Sequence, residues 1–333
     1  MKMMHVALAA ALALVVPMFA GPAAAMDKVR YILPVPPNLP SAAPLILAKH
    51  LGYFKDEGID VEFLVGKGGV DGATQVGAGN AEFSGGMGDT SMIVRANKVP
   101  VRAVMLLGDG GLMALATRKD AGIESPKDLK GKSVSVLSFQ DTTYYALLGM
   151  LASQGLSKAD VDIQALGPAG MTQTIVAGKV PAMAALPDFV VTAEDAGTPL
   201  TLFPAQKYTP SMAQAVIASD KVIAENPDLV RRFVAATRKA FLAVRDDPAA
   251  MAKAYVEAVP AYKDKQAYIE KVFRLYGDLA YGHQKVAGAF DPATLAKLQD
   301  FYVEIGILRG KTPVEELYTN AFIPAAPAAA QAK

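Results

Sequence analysis

The 333-residue sequence has no cysteine and only three histidines, His5, His50 and His283. Without cysteine there is no disulfide, no thiol nucleophile and no thiolate metal site. The histidines are too far apart in sequence to suggest a metal centre, and none is expected. Charge of one sign is lacking as well. Lys plus Arg number 33 against 32 Asp plus Glu, a formal net charge of +1. No basic stripe runs along the chain, so no nucleic-acid partner is expected. Beyond residue 25 no apolar run is long enough to span a membrane.

The N-terminus does hold one apolar run, from Val6 to Val16, preceded by Lys2 and His5. It falls well short of the ~20 residues of a spanning helix. Pro17, Gly21 and Pro22 break it, and Ala23-Ala24-Ala25 offers a small-residue cleavage site. This pattern reads as a secretory signal peptide over residues 1–25, with a mature chain starting at Met26. With no cysteine at the cleavage site there is no lipid anchor, and the expected location is the periplasm. A hydrophobic content of 52% suits two domains with real cores.

The pattern from Glu82 to Asn97 organises the rest. Glu82-Phe83-Ser84 reads as a brief strand, and Gly85, Gly86 and Gly88 as a glycine-rich turn. Asp89 or Thr90 then caps a helix with Met92, Ile93 and Ala96 on its apolar face. Strand, turn and helix N-terminus form the place where small ligands sit in open α/β sheets. A second copy follows: a strand at Val134 to Leu137, a loop at Ser138 to Asp141, and a helix from Thr142 or Thr143. Two such turns in two lobes can face each other across a cleft.

Punctuation divides the rest. Strands are expected at Val29–Leu33, Asp60–Val65, Val101–Leu107, Leu112–Thr117, Val161–Leu166, Ala182–Leu186, Leu200–Phe203 and Ala213–Ala218. Tyr53 to Gly58 reads as a turn. Glycines at 108, 110 and 111 mark one crossover between lobes, and residues 204–219 hold a second. Ser125-Pro126 starts a compact helical turn ended by Gly131. After Ser219 helices dominate, starting at Asn226-Pro227, Asp247-Pro248, Asp291-Pro292 and Thr312-Pro313, the last with Glu315 as a capping box. The expected organisation is lobe 1 from 26–110 and 210–323, lobe 2 from 111–209, and a disordered Ala/Pro-rich tail at 324–333.

Three stretches together carry a family resemblance. Ala43 to Val61, APLILAKHLGYFKDEGIDV, resembles the signature of solute-binding proteins for sulfonates, taurine, nitrate and thiamine precursors. Ser125 to Lys132, SPKDLKGK, resembles the start of that family's second lobe, and Asn226 to Val230 with Phe233 and Lys239 to Phe241 its post-hinge helix. The resemblance implies an α/β, two-lobed periplasmic-binding-protein fold of type II with a helical C-terminal region. It implies a small-molecule solute between hinge-linked lobes, delivery to an ABC permease and ATPase, no catalysis and no cofactor, and the chain is expected to act as a monomer. Pro181 stands where many members carry an aspartate, which affects the local turn.

The same fold hosts a pyrimidine synthase that uses a lysine and a histidine, but Gly86 and Thr90 occupy those positions here. A periplasmic sensor subunit is the other alternative. The expected solute-binding residues are Asn38, Leu39, Ser41, Gly88, Asp89, Thr90, Ser138, Gln140, Asp141, Thr142, Thr143 and Asp188. Asp89, Asp141 and Asp188 are each read either as helix caps or as solute contacts, with at least one expected to touch solute. The candidate loops hold no lysine or arginine, which favours a neutral or amine-bearing solute, with sulfonates or aromatic acids open if the aspartates only cap helices. His50 is read as a helix C-terminal residue, and Tyr144 or Tyr145 as a residue that reaches the cleft or the core.

Overall fold

The computed structural model describes residues 25–282 and 284–324. The expected leader and tail lie outside the described residues except for Ala25 and Pro324, and so does His283.

Two five-stranded sheets carry the chain. The first contains β1 (Asp27–Leu33), β2 (Ile59–Val65), β3 (Phe83–Met87), β4 (Val101–Leu107) and β10 (Gln214–Ser219), in the order β2-β1-β3-β10-β4. The second contains β5 (Ala114–Arg118), β6 (Ser133–Val136), β7 (Asp162–Ala165), β8 (Ala182–Ala185) and β9 (Leu200–Pro204), in the order β7-β6-β8-β5-β9. The two orders follow one plan. In each sheet three parallel strands meet a strand that has just crossed from the other sheet. β10 runs antiparallel to β3 and β4, and β5 runs antiparallel to β8 and β9. Each sheet therefore depends on a strand placed by a crossover, and the two crossovers lie side by side.

Helices cover both sheets. In chain order they are α1 (Ala43–His50), α2 (Tyr53–Asp56), α3 (Gly69–Gly77), α4 (Thr90–Arg95), α5 (Thr142–Ser153), α6 (Gly167–Val176), α7 (Pro187–Asp195), α8 (Asp220–Glu225), α9 (Pro227–Asp246), α10 (Pro248–Ala258), α11 (Gln266–Tyr276), α12 (Pro292–Glu304) and α13 (Val314–Leu317). The 20-residue α9 is amphipathic, and its buried face includes Val230, Phe233, Thr237, Phe241 and Val244, as their spacing predicts. Phe233 joins the layers. Its ring stacks on Phe83 of β3 at 4.2 Å, Phe54 of α2 at 5.0 Å and Tyr31 of β1 at 5.7 Å.

Several local expectations need correction. β3 runs through Gly85 and Gly86 to Met87, because those glycines pair with Val216 and Ala215 of β10. Glu82 precedes the strand and holds Arg30 by an ion pair at 2.7 Å. Tyr53–Asp56 is a one-turn helix, which Gly52 introduces in the left-handed conformation (φ 78°). No side chain caps α13, which begins after Pro313, so the expected box with Glu315 does not form. Ser125 does start its helical turn, and a capping box not foreseen in the sequence forms there, with Asp128 accepting from the Ser125 backbone N–H at 2.9 Å.

Candidate functional site

The C-terminal ends of β1 and β3 in one sheet and of β6 and β8 in the other lead into the turns that meet between the lobes. A small cavity of about 30 Å³ lies there. Ser41, Gly86, Met87 and Gln214 line it from the first lobe, and Asp141, Thr142, Thr143 and Leu186 from the second. A neighbouring cavity of about 30 Å³, lined by Tyr31, Leu45 and Leu107 among others, shares Pro34, Val35, Ser41, Gly86 and Gln214 with it. No lysine or arginine is among the residues lining either cavity.

Ser41, Asp141, Thr142 and Thr143 are thus brought together by the fold. Asp141 caps α5, accepting from Thr143 N–H at 2.9 Å and from the Thr143 hydroxyl. Burial raises its carboxyl pKa, and the two Thr143 bonds oppose the rise. Thr90 is buried next to the site, and its hydroxyl accepts from Met87 N–H at 2.9 Å, which closes the turn through Gly88 and Asp89.

Asp89 and Asp188 are not side-chain caps. Each is buried and each is held by a tyrosine from the C-terminal helices. Tyr302 of α12 donates to Asp89 Oδ2 at 2.6 Å, and Tyr276 of α11 donates to Asp188 Oδ1 at 3.4 Å. Asp89 Oδ1 is buried with no hydrogen-bond partner, the Ser41 hydroxyl sits against the Asp188 carboxylate, and neither aspartate lines either cavity. Burial pushes both carboxyl groups up to about 6. For Asp89 the Tyr302 hydroxyl opposes that shift and the Asp141 charge adds to it; for Asp188 backbone N–H groups and the hydroxyls of Tyr276 and Ser41 oppose it.

The remaining expected residues lie elsewhere. Asn38 is exposed in the turn after Pro37, and Leu39 packs on the core, so neither lines a cavity. Ser138 and Gln140 form the rim between lobes: Ser138 donates to Lys67 O at 2.8 Å, and Gln140 O accepts from Val70 N–H at 3.1 Å. Tyr144 and Tyr145 are half-buried and line neither cavity. His50 does sit at the end of α1.

The main omission is Gln214. It lines both cavities, donates to Ser41 O at 2.8 Å, and accepts from Tyr281 at 3.0 Å. A single amide inside the apolar run Met212 to Ala218 was a visible signal for it. The tyrosine partners of Asp89 and Asp188 had no comparable signal, because they lie 213 and 88 residues away.

Two lobes, a strand exchanged at each crossover and a polar cleft between them define a periplasmic binding fold of the second type. The chain belongs to the family described as NMT1/THI5 like, which matches residues 39–251. It is 24% identical over 298 residues to the riboflavin-binding protein RibY of Chloroflexus aurantiacus, covering 86% of this chain and 84% of that one. It is 26% identical over 247 residues to a 4-amino-5-hydroxymethyl-2-methylpyrimidine phosphate synthase of Aspergillus parasiticus, covering 66% and 68%. Among solved structures it is similar to the alkanesulfonate-binding protein SsuA of Xanthomonas axonopodis pv. citri, with a TM-score of 0.70, 16% identity, and 89% and 99% coverage. Fold and family fit a solute-binding protein. No helix among the described residues is long and apolar enough to cross a membrane.

Proposed function

We propose that the protein is the periplasmic solute-binding component of an ABC importer, capturing a small organic solute between its lobes. Delivery to a membrane permease and its ATPase follows from that role. The observation that carries the reading is the set of polar groups that converge on the interlobe cavity, Ser41 and Gln214 from one lobe and Asp141, Thr142 and Thr143 from the other. A few convergent polar groups among apolar walls are the usual make-up of a small-molecule site. A solute with N–H donors suits the Asp141 carboxylate and the Gln214 amide, and a planar heteroaromatic amine suits a cleft walled by Pro34, Val35 and Leu186. The missing cationic side chains disfavour a free anion, although the N–H groups of α5 can still hold one.

A synthase role is disfavoured at two positions. Gly86 lies inside β3, and the Thr90 hydroxyl is committed to the turn, so neither supplies a nucleophilic amine or an imidazole. The N-terminal pattern supports export, and mass spectrometry of the periplasmic fraction should find a chain beginning near Met26.

A thermal-shift screen of purified protein against aminopyrimidines, amines, sulfonates and aromatic carboxylates tests the function. A bound solute raises the melting temperature with its saturation. Amines or aminopyrimidines are expected to stabilise, with the gain reduced in Asp141→Asn. Stabilisation by anions alone, unchanged in Asp141→Asn, would overturn the charge argument. No stabilisation by any small molecule counts against solute capture.

A further inference from the structure

The cleft is bridged on two sides. On one rim the loop at Lys67 to Val70 meets Ser138 and Gln140. On the other, α11 crosses from the first lobe and lies on α7 of the second. α11 is anchored in its own lobe by packing against α9 and α10. Two polar side-chain pairs join it to α7 near the surface. The Tyr268 hydroxyl lies 2.7 Å from Thr192 Oγ1, and Lys271 Nζ lies 2.8 Å from Asp195 Oδ1. Tyr276 completes the row at its buried end, on Asp188.

We propose that Tyr268 and Lys271 are positioning residues that set solute affinity from outside the cleft, by holding α11 on α7 in the closed state. This rests on the two-lobed capture reading only in that closure is what retains a solute. The seam has the character of a separable surface. Lys271 and Asp195 are 61% and 40% exposed, and an exposed polar pair of this kind parts at little cost. Removing latch contacts therefore shifts the open–closed balance, and apparent affinity falls with the fraction that is competent.

The segment after α11 reaches the crossover. The π-helical turn Gly277–Tyr281 accepts at Ala280 O from Gly110 N–H at 3.1 Å, and Tyr281 donates to Gln214 in the cleft. One continuous segment thus touches the second lobe, the first crossover and the site.

The chain has no cysteine, so Lys55→Cys on the first lobe and Lys158→Cys on the second give unique spin-label sites, both exposed. Interlobe distances are measured by double electron–electron resonance on protein without solute, so the outcome is independent of whether the solute screen succeeds. Tyr268→Phe keeps the ring stacked on Tyr262 but removes the bridging hydroxyl. Lys271→Asp and Asp195→Lys each place like charges together, and the double reversal restores the pair. The parent should show a closed population. Tyr268→Phe with Lys271→Asp should lower its closed-to-open ratio about three- to tenfold, the size expected for one hydrogen bond and one exposed ion pair. Lys271→Asp with Asp195→Lys should return it to the parent value. A free protein with no closed population, or distributions unmoved by Tyr268→Phe and Lys271→Asp, would overturn the assignment.

Discussion

Asp89 and Asp188 are the residues whose behaviour the fold most changes. Both lie near a probable helix start in the sequence, where capping is the ordinary reading. The structure instead places a tyrosine hydroxyl on each carboxylate, and the Ser41 hydroxyl on that of Asp188 as well. A carboxyl raised from 3.8 to about 6 binds its proton more tightly in the folded chain than in the unfolded one. Its contribution is therefore fully present below pH 3.8 and is lost as pH rises through about 6. A two-unit shift corresponds to about 3 kcal/mol per group. Without solute, Asp188→Asn is expected to raise stability at pH 7 by up to that amount and to flatten the decline between pH 4 and 6. Urea melts at pH 4, 5, 6 and 7 check this, and a variant less stable than the parent at pH 7 would contradict it. The groups facing Asp188 are Tyr255, Tyr262, Tyr268, Tyr276 and Tyr281, whose own deprotonation burial pushes up, so they stay neutral across that range. Four of the expected site residues, Ser41, Asp141, Thr142 and Thr143, do line the interlobe cavity, because strand-turn-helix spacing is a local property. The tyrosine partners could not be read, because nothing local ties Tyr302 to Asp89 across 213 residues.

Elements with strong punctuation were legible in the sequence, and those set by contact were not. β4 follows its apolar run from Val101 to Leu107 without an adjustment. α9 and α10 start at the Asn-Pro and Asp-Pro pairs that announce them. The π-helical turn at Gly277–Tyr281 has no sequence pattern, since the crossover strand packs against it. That packing explains the glycines read earlier only as a crossover. Gly108 has φ 105°, and a Cβ there would run into Ala280 O; one at Gly110 would run into Leu279 O. Gly108→Ala therefore meets both backbone strain and a backbone collision, and flexible side chains cannot relieve it. A loss of at least about 2 kcal/mol is expected. Gly122→Ala is a control, because its φ of 63° carries the strain with nothing within 4 Å. Equal losses at the two positions in chemical denaturation would show that packing against the π turn contributes nothing.

The whole molecule is drawn nearly shut around its cleft. The interlobe cavity of about 30 Å³ has room for roughly one water molecule, whereas small-molecule sites run to about 300 Å³ or more. No organic solute enters such a space without separation of the lobes. The two crossovers, at residues 108–113 and 205–213, are the connections left free to bend, because both sheets are continuous on either side of them. Rotation there keeps the Phe233 stack intact and parts the contacts between the lobes, among them the rim bonds and the α11–α7 seam. Small-angle scattering of the protein alone should thus show a larger radius of gyration than that of the closed form. Saturation with a stabilising solute from the thermal screen should reduce it toward the closed value. Lys271→Asp should enlarge the free form further and leave the saturated form compact, since solute pairing with Asp141 and Gln214 then supplies what the seam has lost. Scattering curves that superimpose with and without a saturating solute would remove the hinge from the mechanism and leave the cleft to fill by local loop opening at Lys67 to Val70.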